Sequence, residues 1–159
     1  MTAIIFFLSS QKLNIQEVYD CVEKTAKKYG YKGDRGTPAL TIRKIFHVSL
    51  AHFNLPKAHG RMVKNVGFNF DTIKNEINKG NPLILSMFKD GQNYYENHSV
   101  TIVGYEIYKG ANMLIIYDNW YRSFAYVDYK KMSNISSVHY TDLTFKQKNN
   151  MWKQLKTSK

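Results

Sequence analysis

Cysteine is almost missing from this chain: Cys21 is the single one in 159 residues. That excludes an internal disulfide framework and any zinc site built on several cysteines. Long apolar runs are missing too, and none approaches the roughly 18 residues a membrane span needs. There is no internal repeat, no linker-like stretch, no phosphate-binding glycine loop, no zinc finger and no aromatic RNA-binding signature. Charged residues make up only 22%, too few for a chain disordered by composition. What is present is a hydrophobic fraction of 43% and an aromatic fraction of 14%, enough for one compact domain with a sizeable core.

Acidic residues are also under-represented, 12 against 23 basic ones, for a net charge of +11. Such an excess favours anionic partners, a polyanionic surface among them. The excess is spread along the chain, 13 basic and 6 acidic residues over 1–80 and 10 and 6 over 81–159. Only the end is one-sided, with Lys146, Lys148, Lys153, Lys156 and Lys159 and no acid after Asp142. We read 1–145 as the domain and 146–159 as a basic tail on a solvated basic surface, with no specific nucleic-acid partner and no membrane span.

The first half reads as helical. Ala3–Leu8 is strongly apolar with no basic residue before it and no small-residue cleavage site after it. It reads as the start of a buried helix in a chain that begins abruptly, not as a signal peptide. Ile15, Val18, Tyr19, Val22, Ala26 and Tyr29 recur at helical spacing, with Asn14 as N-cap and Gly30 as stop. A third helix is expected over 39–53 on Leu40, Ile42, Ile45, Phe46, Leu50 and Phe53, and a short one over 71–79 capped by Asp71 and stopped by Gly80. Strands are expected over 82–88, 98–108, 113–118, 124–127 and 138–145. Those at 100–105 and 113–117 are apolar enough to be covered on both faces. Helices first and an antiparallel sheet afterwards is an α+β arrangement.

His98 opens one of these strands, and Asp118-Asn119-Trp120 closes the next. A hairpin turning near Lys109-Gly110 brings the two ends together. A histidine beside a carboxylate or carboxamide is the base-and-orienter half of a catalytic triad; the plainer alternative is a capping histidine beside a turn-forming Asp-Asn pair. His47, His52 and His59, on or just after the third helix, have no cysteine or acid cluster at ligand spacing and do not suggest a metal. His139 falls in an expected edge strand. Tyr94, Tyr95, Trp120, Tyr121, Phe124 and Tyr126 are expected around the site, as core, rim or groove.

The segment from Phe70 to Trp120 resembles papain-like cysteine peptidases, in particular the bacterial branch related to bacteriocin-leader-processing peptidases. Three elements carry the resemblance: a helix ending in Gly80-Asn81-Pro82-Leu83; the strand His98-Ser99-Val100-Thr101-Ile102-Val103-Gly104-Tyr105; and Asp118-Asn119-Trp120. It implies a papain-like α+β fold, thiol-dependent hydrolysis of a peptide or protein substrate, and no cofactor or metal. It implies His98 as general base and Asp118 as its orienter, with Asn119 as the alternative because papain uses an asparagine shortly before a tryptophan. Trp120 would shield the histidine's hydrogen bond from water, and Thr2 and Asn97 would line the site.

In that branch the nucleophilic cysteine begins the central helix, commonly in Cys-Gly-Pro-Thr-Ala. Met1-Thr2-Ala3 resembles this motif with its first residues missing. The expectation is therefore a cysteine two residues before the chain starts, an oxyanion-hole glutamine further upstream, and a chain with little or no peptidase activity as written. Complete members are often exported, whereas no export signal stands here. Cys21 is the alternative nucleophile, 77 residues before His98, but it stands mid-helix beside Asp20 and Glu23, where a thiol's pKa is raised. The competing function is a non-catalytic peptide- or anion-binding module on the same fold.

Overall fold

The computed structural model describes residues 1–9, 12–33, 36–55, 58–63, 69–88, 95, 97–132 and 136–143. The proposed tail over 146–159 and Tyr94 lie outside them. In chain order the elements are α1 (Thr2–Leu8), α2 (Ile15–Lys28), α3 (Ile42–His52), β1 (Ala58–Val63), α4 (Phe70–Asn78), β2 (Leu83–Met87), β3 (His98–Tyr108), β4 (Ala111–Tyr117), β5 (Ala125–Asp128), α5 (Tyr129–Met132) and β6 (Ser136–Leu143). The architecture is α+β, with one antiparallel sheet in the order β1-β6-β2-β3-β4-β5. No helix among the described residues is long and apolar enough to cross a membrane.

The helix ends follow from side-chain and backbone capping. The Asn14 side chain accepts from the amides of Gln16 (2.8 Å) and Glu17 (3.4 Å), two donors with no partner inside α2. At the other end Gly30 takes φ 94° and Tyr31 N–H donates to the Ala26 carbonyl at 2.9 Å, closing a Schellman motif. α4 ends the same way: Gly80 has φ 80°, and Asn81 N–H donates to the Glu76 carbonyl at 2.9 Å. Gly80-Asn81-Pro82 is thus a helix stop that aims the chain into β2. Gly80→Ala forces a Cβ into left-handed backbone and is expected to cost about 1–2 kcal/mol, read as a lower urea midpoint; an unchanged midpoint would contradict this account of the cap.

Several expectations are corrected. The N-cap of α4 is Asn69, whose side chain accepts from Thr72 N–H at 2.7 Å, and Asp71 lies inside the first turn. β1 was not expected. It brings His59 into the sheet and pairs with β6, so β6, which carries His139, is interior rather than an edge. Ile15, Tyr19 and Leu40 are exposed; the buried face of α2 is turned toward Val18, Thr25 and Ala26. β4 is not covered on both faces, since only Leu114 and Ile116 are buried along it.

The core has two parts, one on each face of the sheet. Leu83, Leu85 and Met87 of β2 join Val100, Ile102, Leu114, Ile116 and Val127 beneath Phe70, Ile73 and Met132 of the α4 and α5 side. Ile84 points the other way and packs with Ile4, Ile5, Val18, Ile42, Phe46 and Leu50 of α1–α3. β2 is therefore buried on both faces, as its run of five buried residues requires. The candidate site lies at the end of the sheet where β3 begins and β4 finishes.

Candidate active site

The β3–β4 hairpin sets the relation between His98 and Asp118. Tyr108 pairs with Ala111, leaving Lys109 (φ 50°) and Gly110 (φ 80°) as a two-residue turn with both φ positive, the type that suits twisted strands. Between the pairs Ile102–Ile116 and Gly104–Ile115 the ladder carries a bulge at Val103. Beyond it the register is shifted by one residue, with Thr101 opposite Tyr117. That shift determines which atoms of the Asp118 turn meet the start of β3.

His98 and Asp118 come together, but through the main chain of Asp118. His98 Nε2 lies 2.8 Å from the Asp118 carbonyl oxygen. A carbonyl only accepts, so Nε2 carries the hydrogen and Nδ1 of the neutral ring keeps its lone pair. The Asp118 carboxylate serves other partners. Its Oδ1 accepts from the amides of Trp120 (3.0 Å) and Tyr121 (3.2 Å), and its Oδ2 accepts from the Tyr95 hydroxyl (3.1 Å). These bonds fold residues 118–121 into a tight turn in which Asn119 takes φ 66°, a left-handed conformation asparagine tolerates.

Asp118 is 1% exposed. Burial alone would push its carboxyl up. The amide hydrogen bonds from Trp120 and Tyr121, the Tyr95 hydroxyl and the nearby His98 outweigh burial and hold it below the ordinary carboxylate range. A buried charge is costly unless its lone pairs are satisfied, and here three donors do so.

The other candidate residues fall around this pair. Trp120 lies against the imidazole, ring centres 4.5 Å apart, and remains 49% exposed, so it screens one side of His98 from solvent. Asn97 is exposed immediately before β3 and Thr2 is half-buried at the start of α1. Beside them, Met1, Ser99, Val100 and Thr101 help line a cavity of about 130 Å³ whose far wall is Val22, Ala26, Ile42 and Ile45. Cys21 is half-buried on α2, whose main packing partners are α1 and α3. Phe124 packs edge-on against Tyr117, and with Tyr121 and Tyr126 it is exposed beyond the site. Among the described residues no group of three His, Cys, Asp or Glu side chains could hold a metal ion.

The particular part played by Tyr95 was not legible in sequence. It stood in an aromatic cluster, and its only distinguishing signal was general: a buried tyrosine hydroxyl needs a partner, and an acid was expected nearby.

A family model described as the Peptidase_C39 like family matches residues 13–158. The chain belongs to that family. No curated protein matches it. Membership accounts for the papain-like α+β fold and makes the chain a cysteine-peptidase-like domain with a peptide as the substrate class.

Proposed function

We propose that these residues supply the base and the substrate groove of a peptide-hydrolysing site. In this reading His98 Nδ1 takes the proton from a thiol, and the resulting thiolate attacks the peptide carbonyl. The same imidazole then returns the proton to the leaving amine, and water releases the acyl group. Asp118 orients the ring through its carbonyl, and Trp120 shields that bond. The observation that carries the reading is the Nε2 bond to the Asp118 carbonyl, which leaves Nδ1 as the free basic atom.

The nucleophile in this reading comes from a segment that leads into α1, as the family pattern implies; Ser99, which borders a cavity with Met1, points to the opposite face of β3 from His98, so the cavity is not the support for this placement. Cys21 packs on its own helical layer. It is expected to react with a mild thiol-directed peptidase inhibitor at the rate of an ordinary half-buried thiol, unchanged in His98→Ala. Rapid stoichiometric labelling that His98→Ala abolishes would make Cys21 the nucleophile instead.

The direct test extends the chain upstream of Met1 with a Cys-Gly-type segment that also carries the oxyanion-hole glutamine. Thiol-dependent hydrolysis of a peptide library is expected. A folded extended protein that binds peptides without cleaving them would favour the binding-module reading.

A further inference from the structure

The residue that organises this site from within is Tyr95. It is 8% exposed, so its hydroxyl is held away from bulk water, and it donates to Asp118 Oδ2 at 3.1 Å. Its ring lies nearly parallel to the His98 imidazole, 11° apart with centres separated by 5.9 Å. It also meets Trp120, at 5.3 Å. The three rings form a triangle: Tyr95 is the inner member, Trp120 the outer one, and His98 touches both.

We propose that Tyr95 is a positioning residue for His98, tethering the Asp118 turn so that its carbonyl stays on Nε2 and Nδ1 stays unprotonated. The proposal rests on the reading of His98 as the base. The need for such a tether follows from geometry. In a pair where the carboxylate itself binds the imidazole, charge attraction fixes the ring. Here the acceptor is a main-chain carbonyl, whose direction depends on the conformation of residues 118–121. One carboxylate oxygen secures that turn through two amides of the turn itself. The other reaches out of the turn to Tyr95, three residues before His98 in sequence. The hydroxyl therefore ties the turn after β4 to the segment leading into β3, and the parallel ring limits rotation of the imidazole toward its own side.

Packing and tethering are separable, because Tyr95→Phe keeps the ring and deletes only the hydroxyl. The measurement is the tautomer ratio of neutral His98 in the 159-residue protein, from imidazole nitrogen shifts at about pH 8.5, where an ordinary histidine is uncharged. The His98 signals are assigned by their loss in His98→Ala. The native protein should hold mostly the Nε2–H form. Tyr95→Phe should raise the Nδ1–H share relative to it by about three- to tenfold, the effect of losing one modest hydrogen bond. If the tether runs through Asp118, Asp118→Ser, whose hydroxyl can still accept from the turn amides but is too short to reach Tyr95, should produce the same drift, and the double variant should add little to either. A ratio within about twofold of native in folded Tyr95→Phe, or effects that simply add, overturns the proposal. Should Tyr95→Phe fail to fold, an unchanged ratio in Asp118→Ser overturns it equally and the expected drift there upholds it. The ratio is read without substrate, so absent hydrolysis speaks only against the peptidase reading, and an unchanged ratio only against the tether.

Discussion

Asp118→Ala is expected to destabilise the protein by about 3 kcal/mol, the upper range for losing hydrogen bonds to a charged acceptor and stranding a buried donor. For a domain of this size that lowers Tm by on the order of 10 °C. The loss comes from what the substitution leaves behind. The buried Tyr95 hydroxyl loses this acceptor away from bulk water, and the turn loses the two bonds that the Trp120 and Tyr121 amides make to the carboxylate. Asp118→Asn should be milder, about 1 kcal/mol, because the amide oxygen still serves the turn while its NH2 group faces the Tyr95 oxygen. The pair also carries a pH signature. The folded carboxyl is held below its unfolded value, so the unfolded chain binds the proton first as pH falls. The stabilisation is present above the unfolded value, near 4, and is lost as pH drops through the lower folded value. Acid unfolding of the native protein should therefore include a component below about pH 4 that Asp118→Asn lacks. Urea titrations at several acidic pH values read both effects. Identical acid limbs, together with native stability for Asp118→Ala at neutral pH, would show that the carboxylate holds nothing.

Why the sequence revealed the partners in this site but not their bonds can be traced residue by residue. The hairpin was visible because Lys109-Gly110 stands between two apolar runs and a two-residue turn needs positive φ at both positions. The helix ends were visible where Asn14, Gly30 and Gly80 each have a local reason to be there. From these alone His98 and Asp118 can be placed at neighbouring strand ends. The bulge at Val103 was not visible. A bulge is one extra residue accommodated by pairing with the opposite strand, and the run His98–Tyr105 reads smoothly through it. Counting back from the turn without it puts Asp118 opposite Thr101; with it, Tyr117 takes that place. Asp118 and Asn119 differ as orienters only through their side chains, whereas the acceptor on the imidazole is a carbonyl that any residue would carry. β1 was hidden for a different reason. Ala-His-Gly-Arg-Met-Val has little strand propensity of its own, and it becomes a strand by pairing with a segment about eighty positions later. Local signals thus located the site, while long-range pairing determined which atoms in it touch.

His98→Ala, made in the chain extended upstream with its cysteine and glutamine, is expected to lower kcat/KM for peptide hydrolysis by about 10²–10⁴-fold, the usual contribution of a positioned acid–base group. The effect should fall on kcat, because the imidazole sits at the start of β3 and its removal leaves the strand pairing and the hydrogen bonds within the Asp118 turn in place. KM should change little. Truncation of His98 also removes one face of the ring triangle, so folding must be checked separately; Trp120 and Tyr95 still contact each other at 5.3 Å and retain their own support. His98→Gln sharpens the test. Its amide NH2 can still donate to the Asp118 carbonyl, which preserves the turn, but it offers no group that accepts and returns a proton near neutral pH. If His98→Gln is as slow as His98→Ala, proton transfer is the function of this position. If His98→Gln keeps most of the native rate, the position acts by packing and donating a hydrogen bond, and the base must be sought elsewhere.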